Sequence, residues 1–245
     1  SKGLRTAYAI VNLLESMERG GVENRLQALN GLKDEILNTA DGPMPKNTAR
    51  VLLQIMKELV RAKGNDSLQL RLAHNFRMAA FGKPRVIRKQ LKNCHFLEMP
   101  EEWNQITFDD HVHDANTTGR KSPTHLIMDA WIKGIRRLRV IYYHYIEPRF
   151  AAELIEAARI MEIDLRIGIE FWARFRGRFI SFIWVSRGLS EVETFLCFLA
   201  EPHVVKFMEQ GKAVLKFQEK YVLRLLDDFN ERYLGALGED LNIDM

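Results

Sequence analysis

Apolar residues recur at every third or fourth position through the first ninety residues of the chain. This spacing gives each of several consecutive segments one apolar stripe, which is typical of amphipathic helices. Glycine, proline and short polar residues interrupt the pattern at 20–21, 41–45 and 63–66, and such residues favour turns. We therefore predict an all-helical region over residues 1–100. The apolar positions of this pattern include Leu4, Tyr8, Val11, Leu14, Val22, Leu26, Leu29, Leu32, Ile36, Leu52, Ile55, Met56 and Leu59.

Beyond residue 100, short segments rich in β-branched and aromatic residues alternate with helical segments. The first predicted helix of this part has Ser122 as its N-cap, Pro123 in its first turn and a stop at Gly134, and the second opens at Pro148. The alternation predicts an α/β domain over residues 101–245, built from consecutive βα units. The predicted strands cover residues 106–113, 138–143, 163–171 and 179–185.

Two apolar segments in the second half of the chain are predicted to be buried. Residues 179–185 are apolar on both faces apart from Ser181, a pattern that favours an interior strand. The chain returns to a helical pattern after Gly188 and carries a long apolar stripe, which is typical of a helix packed in a core. The stripe consists of Val214, Phe217, Tyr221, Val222, Leu225, Phe229 and Tyr233.

The composition narrows the class of protein. With 47% apolar and 28% charged residues over 245 positions, the chain is typical of a globular protein, and its apolar runs are too short to span a bilayer. Its first residues carry no apolar signal-peptide core, and Cys94 and Cys197 are interpreted as reduced structural thiols. We therefore expect a cytoplasmic protein without a membrane partner. The net charge of +4 is weak support for nucleic-acid binding, although residues 83–92 and 133–139 are locally basic.

Side chains capable of binding a metal ion follow three consecutive predicted strands. His111 and His113 end the first strand, His144 follows the second, and Glu170 ends the third. Because alternate residues of a strand point to one side, His-x-His can direct both imidazoles at one ion. Ligands also collect at the carboxyl ends of parallel strands. Asp110 or Asp114 could orient an imidazole. The pattern thus indicates either a metal site or polar strand ends without an ion.

These motifs together resemble the polymerase and histidinol phosphatase (PHP) superfamily. The resemblance covers about residues 105–185 and is carried by Asp110-His111-Val112-His113, by Ser122-Pro123 before a helix that ends at Lys133-Gly134-Ile135, by Tyr143-His144 and by Gly168-Ile169-Glu170. It implies a distorted barrel of β/α units and a metal-dependent phosphoesterase or phosphatase that acts on a phosphorylated substrate.

The resemblance also implies roles for individual residues. It makes His111, His113, His144 and Glu170 ligands of a divalent ion, manganese or zinc, with iron as an alternative. Glu170 and His144 are the expected catalytic residues. Arg120 and Lys121, in the loop after the first strand, are weaker candidates for contact with a substrate phosphate.

Several positions depart from the pattern of the family. Tyr143 stands where the second motif usually has aspartate, and residues 117–119 replace a serine-aspartate-glycine turn. No histidine lies near the end of the fourth predicted strand, and His203 is only a remote substitute. Too few βα units remain after Val185 to complete seven strands. These departures favour an alternative function, a catalytically inactive PHP-like scaffold or interaction domain of a larger protein.

Overall fold

The computed structural model describes residues 2–40, 42–102, 107–188 and 191–237 and has a mixed α/β fold. Its helices are α1 (Lys2–Arg19), α2 (Val22–Thr39), α3 (Pro45–Arg61), α4 (Asp66–Ala79), α5 (Pro84–Asn93), α6 (Pro123–Lys133), α7 (Pro148–Met161), α8 (Val192–Leu199) and α9 (Pro202–Leu237). Its strands are β1 (Phe108–Val112), β2 (Arg137–Tyr143), β3 (Asp164–Phe175) and β4 (Arg178–Val185). None of the described helices is both long and apolar enough to cross a membrane.

The predicted helix boundaries in the first hundred residues are confirmed where the structure describes them. Pro45 and Pro84 each occupy the first turn of a helix, where a missing backbone N–H costs nothing. The Asn65 side chain accepts a hydrogen bond from the backbone of Leu68 and caps α4. Local chemistry therefore starts α3 and α4 at breaks that the pattern indicated, whereas the break between α4 and α5 was not predicted.

The four strands form one sheet in the order β1-β2-β3-β4. The first three strands are parallel, and α6 and α7 are the crossovers between them. Gly134 ends α6 in the left-handed region with φ of 85°, which glycine adopts without steric cost. The βα rhythm is therefore confirmed for three strands. Residue 106, at the predicted start of the first strand, lies outside the described residues.

The prediction that residues 179–185 form an interior strand is wrong. Arg176 and Gly177 both have positive φ and form a tight turn, so β4 folds back antiparallel on β3. A strand added in this way has one neighbour only, which places β4 at the edge of the sheet. Five of its eight residues are exposed large apolar side chains: Phe179, Ile180, Phe182, Ile183 and Trp184.

The prediction that the C-terminal apolar stripe is core is also wrong. α9 packs through its beginning, where Val204, Met208 and Gly211 are buried. From residue 216 to residue 233 its side chains are exposed, except for two that are half-buried. The helical period shows that one face of α9 is apolar, but it carries no information about what covers that face.

A continuous apolar core connects the N-terminal helices to the sheet. Buried side chains of α1, α2 and α3 belong to the same cluster as those of α6, α7, β2 and β3. A polar contact reinforces this packing, because buried Glu153 on α7 accepts hydrogen bonds from Arg25 on α2 and from the Thr124 hydroxyl on α6. The backbone of α9 at Gly211 lies against that of His144, at the carboxyl end of β2.

Candidate functional site

The four residues predicted to bind a metal lie around the carboxyl ends of β1 and β2. The strand register places Glu170 directly beside Tyr143, the last residue of β2. The next residue, His144, donates its backbone N–H to the Glu170 carbonyl oxygen over 2.8 Å. His111 and His113 lie at the end of the neighbouring strand β1. The parallel pairing thus brings all four residues to one region of the sheet.

Three of the four side chains are close to one another. The rings of His111 and His113 are 5.0 Å apart between centroids. His111 Nε2 lies 3.9 Å from Glu170 Oε2, a pairing that is ionic only when the imidazole is protonated. These contacts follow from the alternation of side chains on β1 and from the pairing of β1 with β2 and of β2 with β3.

The hydrogen bonds of His113 determine which of its nitrogens carries the proton. Nδ1 lies 2.7 Å from the carbonyl oxygen of Ile141, and because a carbonyl only accepts, Nδ1 must be the donor. In the neutral ring Nε2 then holds the lone pair, and the Tyr143 hydroxyl 3.2 Å away donates to it. The Tyr143 ring also stacks on His113, with 4.9 Å between centroids. Tyr143 therefore occupies the lone pair through which this imidazole would bind a metal.

Glu170 is engaged in a similar way. The Ser181 hydroxyl, on β4, donates a hydrogen bond to Glu170 Oε1 over 2.7 Å. Oε2 of Glu170 and Nε2 of His111 are left facing each other.

The His144 ring makes no hydrogen bond or ion pair with the other three side chains, although it lies within reach of the charge of Glu170. His144 is buried and adopts a left-handed backbone conformation with φ of 60°. Burial lowers the pKa of its imidazole, although the charge of Glu170 acts in the opposite direction. Within the part of the chain that the structure describes, its ring has no hydrogen-bond or ion-pair partner. His144 lines a cleft that Asn116 and Trp172 also line.

The side chains present do not form a ligand shell in this arrangement. The described residues contain no group of three or more His, Cys, Asp or Glu placed to hold a metal ion. His111 Nε2 and Glu170 Oε2 face each other, while Nε2 of His113 is bound by Tyr143. The His144 ring makes no hydrogen bond or ion pair with these side chains. The binding of manganese, zinc or iron remains a prediction that these contacts do not support.

The two aspartates near the His-x-His motif have other partners. Asp114 is fully buried, accepts a hydrogen bond from the Tyr142 hydroxyl over 2.6 Å, and also accepts from the backbone of Asn116. Asp110 lies 3.6 Å from the Arg139 guanidinium. The prediction that one of them orients an imidazole is therefore wrong in this arrangement. Asp114 holds the loop after β1 instead.

The two basic residues proposed to contact phosphate differ in their surroundings. Arg120 is exposed. Lys121 forms an ion pair with buried Asp129 on α6, which also pairs with buried Lys57 on α3. Burial alone would raise the pKa of Asp129, but Lys57 and Lys121 hold it below its ordinary value. Lys121 thus shares the single carboxylate of Asp129 with Lys57, and its contact with a substrate phosphate remains a prediction.

Sequence reasoning missed the roles of Tyr143 and Ser181. Tyr143 was visible as a departure from the family's motif, but nothing in the sequence indicated that its hydroxyl reaches His113. Ser181 lies on β4 and reaches Glu170 because β4 folds back on β3 as a hairpin. β4 was predicted as an interior strand, and no pattern in the sequence indicated this hairpin. No protein-family profile, no curated protein and no solved structure matches this chain.

Proposed function

We propose that this chain carries part of a PHP-like α/β barrel that lacks hydrolase activity and serves as an interaction domain. The observation that carries the proposal is the hydrogen bond from Tyr143 to Nε2 of His113. A tyrosine hydroxyl at this position competes with a metal ion for the same lone pair. The competing residue stands where the PHP pattern has aspartate, a side chain that would bind an ion.

An exposed apolar edge supports the second half of this proposal. Phe179 on β4 is 73% exposed and Ile183 is 46% exposed. β4 contains no proline and no lysine, which are the residues that commonly protect an edge strand from pairing. Apolar residues clustered on a free edge favour contact with another protein segment.

Metal-dependent phosphoester hydrolysis is the second candidate function. It is favoured by the approach of His111 Nε2 to Glu170 Oε2 with His113 beside them. For this function His113 would have to exchange its contact with Tyr143 for an ion.

Thermal unfolding distinguishes the two candidate functions. The protein is first freed of metal, and its melting temperature is then measured with and without added manganese or zinc. An ion that binds only the folded form stabilises it by about 2.7 kcal/mol at a hundredfold excess over its dissociation constant. For a chain of this size that corresponds to a rise in the melting temperature on the order of 5 °C. We expect no such rise, and no hydrolysis of p-nitrophenyl phosphate.

A matched pair of variants makes the outcome specific. A rise in melting temperature that disappears in His111→Ala but persists in His203→Ala would establish the ion-binding site and overturn the proposal. His203 is a suitable control because it is exposed and lies on α9, outside the candidate site.

A further inference from the structure

A cleft of about 560 Å³ opens beside the candidate metal site. The loop after β1, the end of β2, the beginning of α7, Trp172 of β3 and two residues of α9 form its walls. Its volume lies in the range of sites that bind small molecules, roughly 300 to 1,000 Å³. His111, His113 and Glu170 are not part of its lining, so the cleft is distinct from the three clustered side chains.

Close packing of α9 on the end of β2 fixes one wall of the cleft. A β-carbon added at Gly211 would overlap the His144 carbonyl oxygen and lie 2.6 Å from the carbonyl carbon. Only glycine permits this approach of helix to backbone. Lys212 then lies over the Tyr145 ring, with its Nζ 4.3 Å from the centroid. The wall is therefore preformed rather than assembled by a ligand.

Aromatic rings make up most of the apolar part of the cleft, together with Leu215. Tyr143, Tyr145, Phe150 and Trp172 all contribute to its lining. Trp172 is 59% exposed, which is unusual for the largest apolar side chain. A ligand that stacked on its indole would remove that area from water.

Polar side chains without partners surround these rings. Nδ2 of Asn116 is buried and has no hydrogen-bond partner among the described residues. The His144 ring has no hydrogen-bond partner among the described residues, the Gln218 amide is exposed to solvent, and both line the cleft. An amide N–H buried without an acceptor costs about 1–3 kcal/mol, and a ligand hydroxyl would remove that cost.

The cleft favours an uncharged ligand. No lysine or arginine is found among the lining residues that the structure describes, and the carboxylate of Glu147 in that lining is paired with Arg149. Arg149 also covers the Phe150 ring, as Lys212 covers Tyr145. Arg149 and Lys212 are therefore each held over an aromatic ring of the lining, and Glu147 is already paired.

We propose that this cleft binds the ring of a neutral sugar. The polar groups of its described lining include Asn116 after β1, His144 after β2 and Gln218 on α9, and together they offer donors and acceptors. The hydroxyls of a sugar point in many directions, and each can donate and accept. Trp172 offers a flat apolar face against which the C–H face of the ring can pack. A nucleobase would use the same indole face, but it has polar groups only along its edges and would leave some of these partners unmatched.

Saturation-transfer NMR on the full chain tests this proposal with the methyl glycosides of glucose, galactose and mannose, and with adenosine for comparison. We expect transfer to at least one glycoside, with affinity about tenfold weaker in Gln218→Ala and in Trp172→Ala. The matched controls are Gln210→Ala, also exposed on α9, and Trp184→Ala, also exposed in the sheet, and both should bind like the wild type.

Three results would overturn the proposal. One is the absence of transfer to every glycoside in folded wild-type protein. Another is transfer to adenosine alone, which would assign the cleft to a nucleobase. The third is glycoside transfer that Gln218→Ala and Trp172→Ala leave unchanged, which would place binding outside the cleft.

Discussion

The Tyr143 hydroxyl lies 3.2 Å from Nε2 of His113 and donates a hydrogen bond to it, while Nδ1 of the same ring donates to the Ile141 carbonyl. Both nitrogens of a candidate metal ligand are thereby satisfied within the protein. An imidazole in this state stabilises the end of the sheet, and an ion must displace Tyr143 to reach it.

Replacement of Tyr143 by phenylalanine should make the site responsive to metal. The ring and its stacking on His113 are retained, but Nε2 loses its donor and its lone pair becomes free. We expect zinc to raise the melting temperature of Tyr143→Phe by several degrees more than that of the wild type. Tyr145→Phe is the control, since it removes a hydroxyl close by without affecting His113. An equal zinc response in all three proteins would show that the hydrogen bond does not limit binding.

Replacement of Glu153 by glutamine should destabilise the connection between the N-terminal helices and the sheet. Arg25 donates to both Glu153 oxygens, over 2.9 Å and 2.6 Å, and the Glu153 side chain is fully buried. Removing its charge leaves Arg25, whose side chain is only 14% exposed, without this counterion. We expect the free energy of unfolding in urea to fall by about 3 kcal/mol.

Glu156→Gln is the matched control on the same helix. It breaks the pair of Glu156 with exposed Arg159, and pairs of that kind contribute less than about 1 kcal/mol. A similar loss for both variants would argue against a special role for the buried pair.

Replacement of Gly211 by alanine should detach the beginning of α9 from β2. The added methyl group meets backbone atoms of His144, which cannot move aside as a flexible side chain would. We expect a loss of about 2 kcal/mol or more in the free energy of unfolding, despite the higher helix propensity of alanine. Gly31→Ala on α2 has open space around the new methyl group and should instead stabilise the chain by about 0.5–1 kcal/mol. Thermal unfolding of the two variants checks this prediction. It would be contradicted if both substitutions changed the stability of the chain in the same direction.

Acidification should destabilise the chain partly through His125. Burial lowers the pKa of His125 below that of a free histidine, although Asp129 opposes this effect. The unfolded chain therefore binds a proton that the folded chain resists, and the free energy of unfolding falls as the pH drops below about 6.5. His125→Gln should flatten the pH dependence of urea unfolding between about pH 5 and pH 7, and exposed His203→Gln should leave it as in the wild type. If His125→Gln left the slope of the free energy of unfolding against pH unchanged, groups other than His125 would account for the loss of stability in acid.

The sequence by itself determined the local boundaries and the order of elements. Pro123 and Gly134 enclose α6, and Pro148 opens α7, because N-terminal prolines and a left-handed glycine act through the backbone of their own segment. The spacing of one βα unit between His113 and His144 was enough to place their strands side by side. Parallel pairing then brings strand ends to one edge of the sheet.

Only the tertiary structure decided what these side chains touch. Tyr143 meets His113 across two strands, 30 residues apart in the chain, at a distance that depends on the exact stagger of β1 against β2. Likewise, the sequence shows that β4 and the later part of α9 have apolar faces. Whether these faces are buried depends on which other elements pack against them. Hydrophobic periodicity is a property of one segment, whereas a hydrogen bond between two strands and the cover over a helix are properties of their arrangement in space.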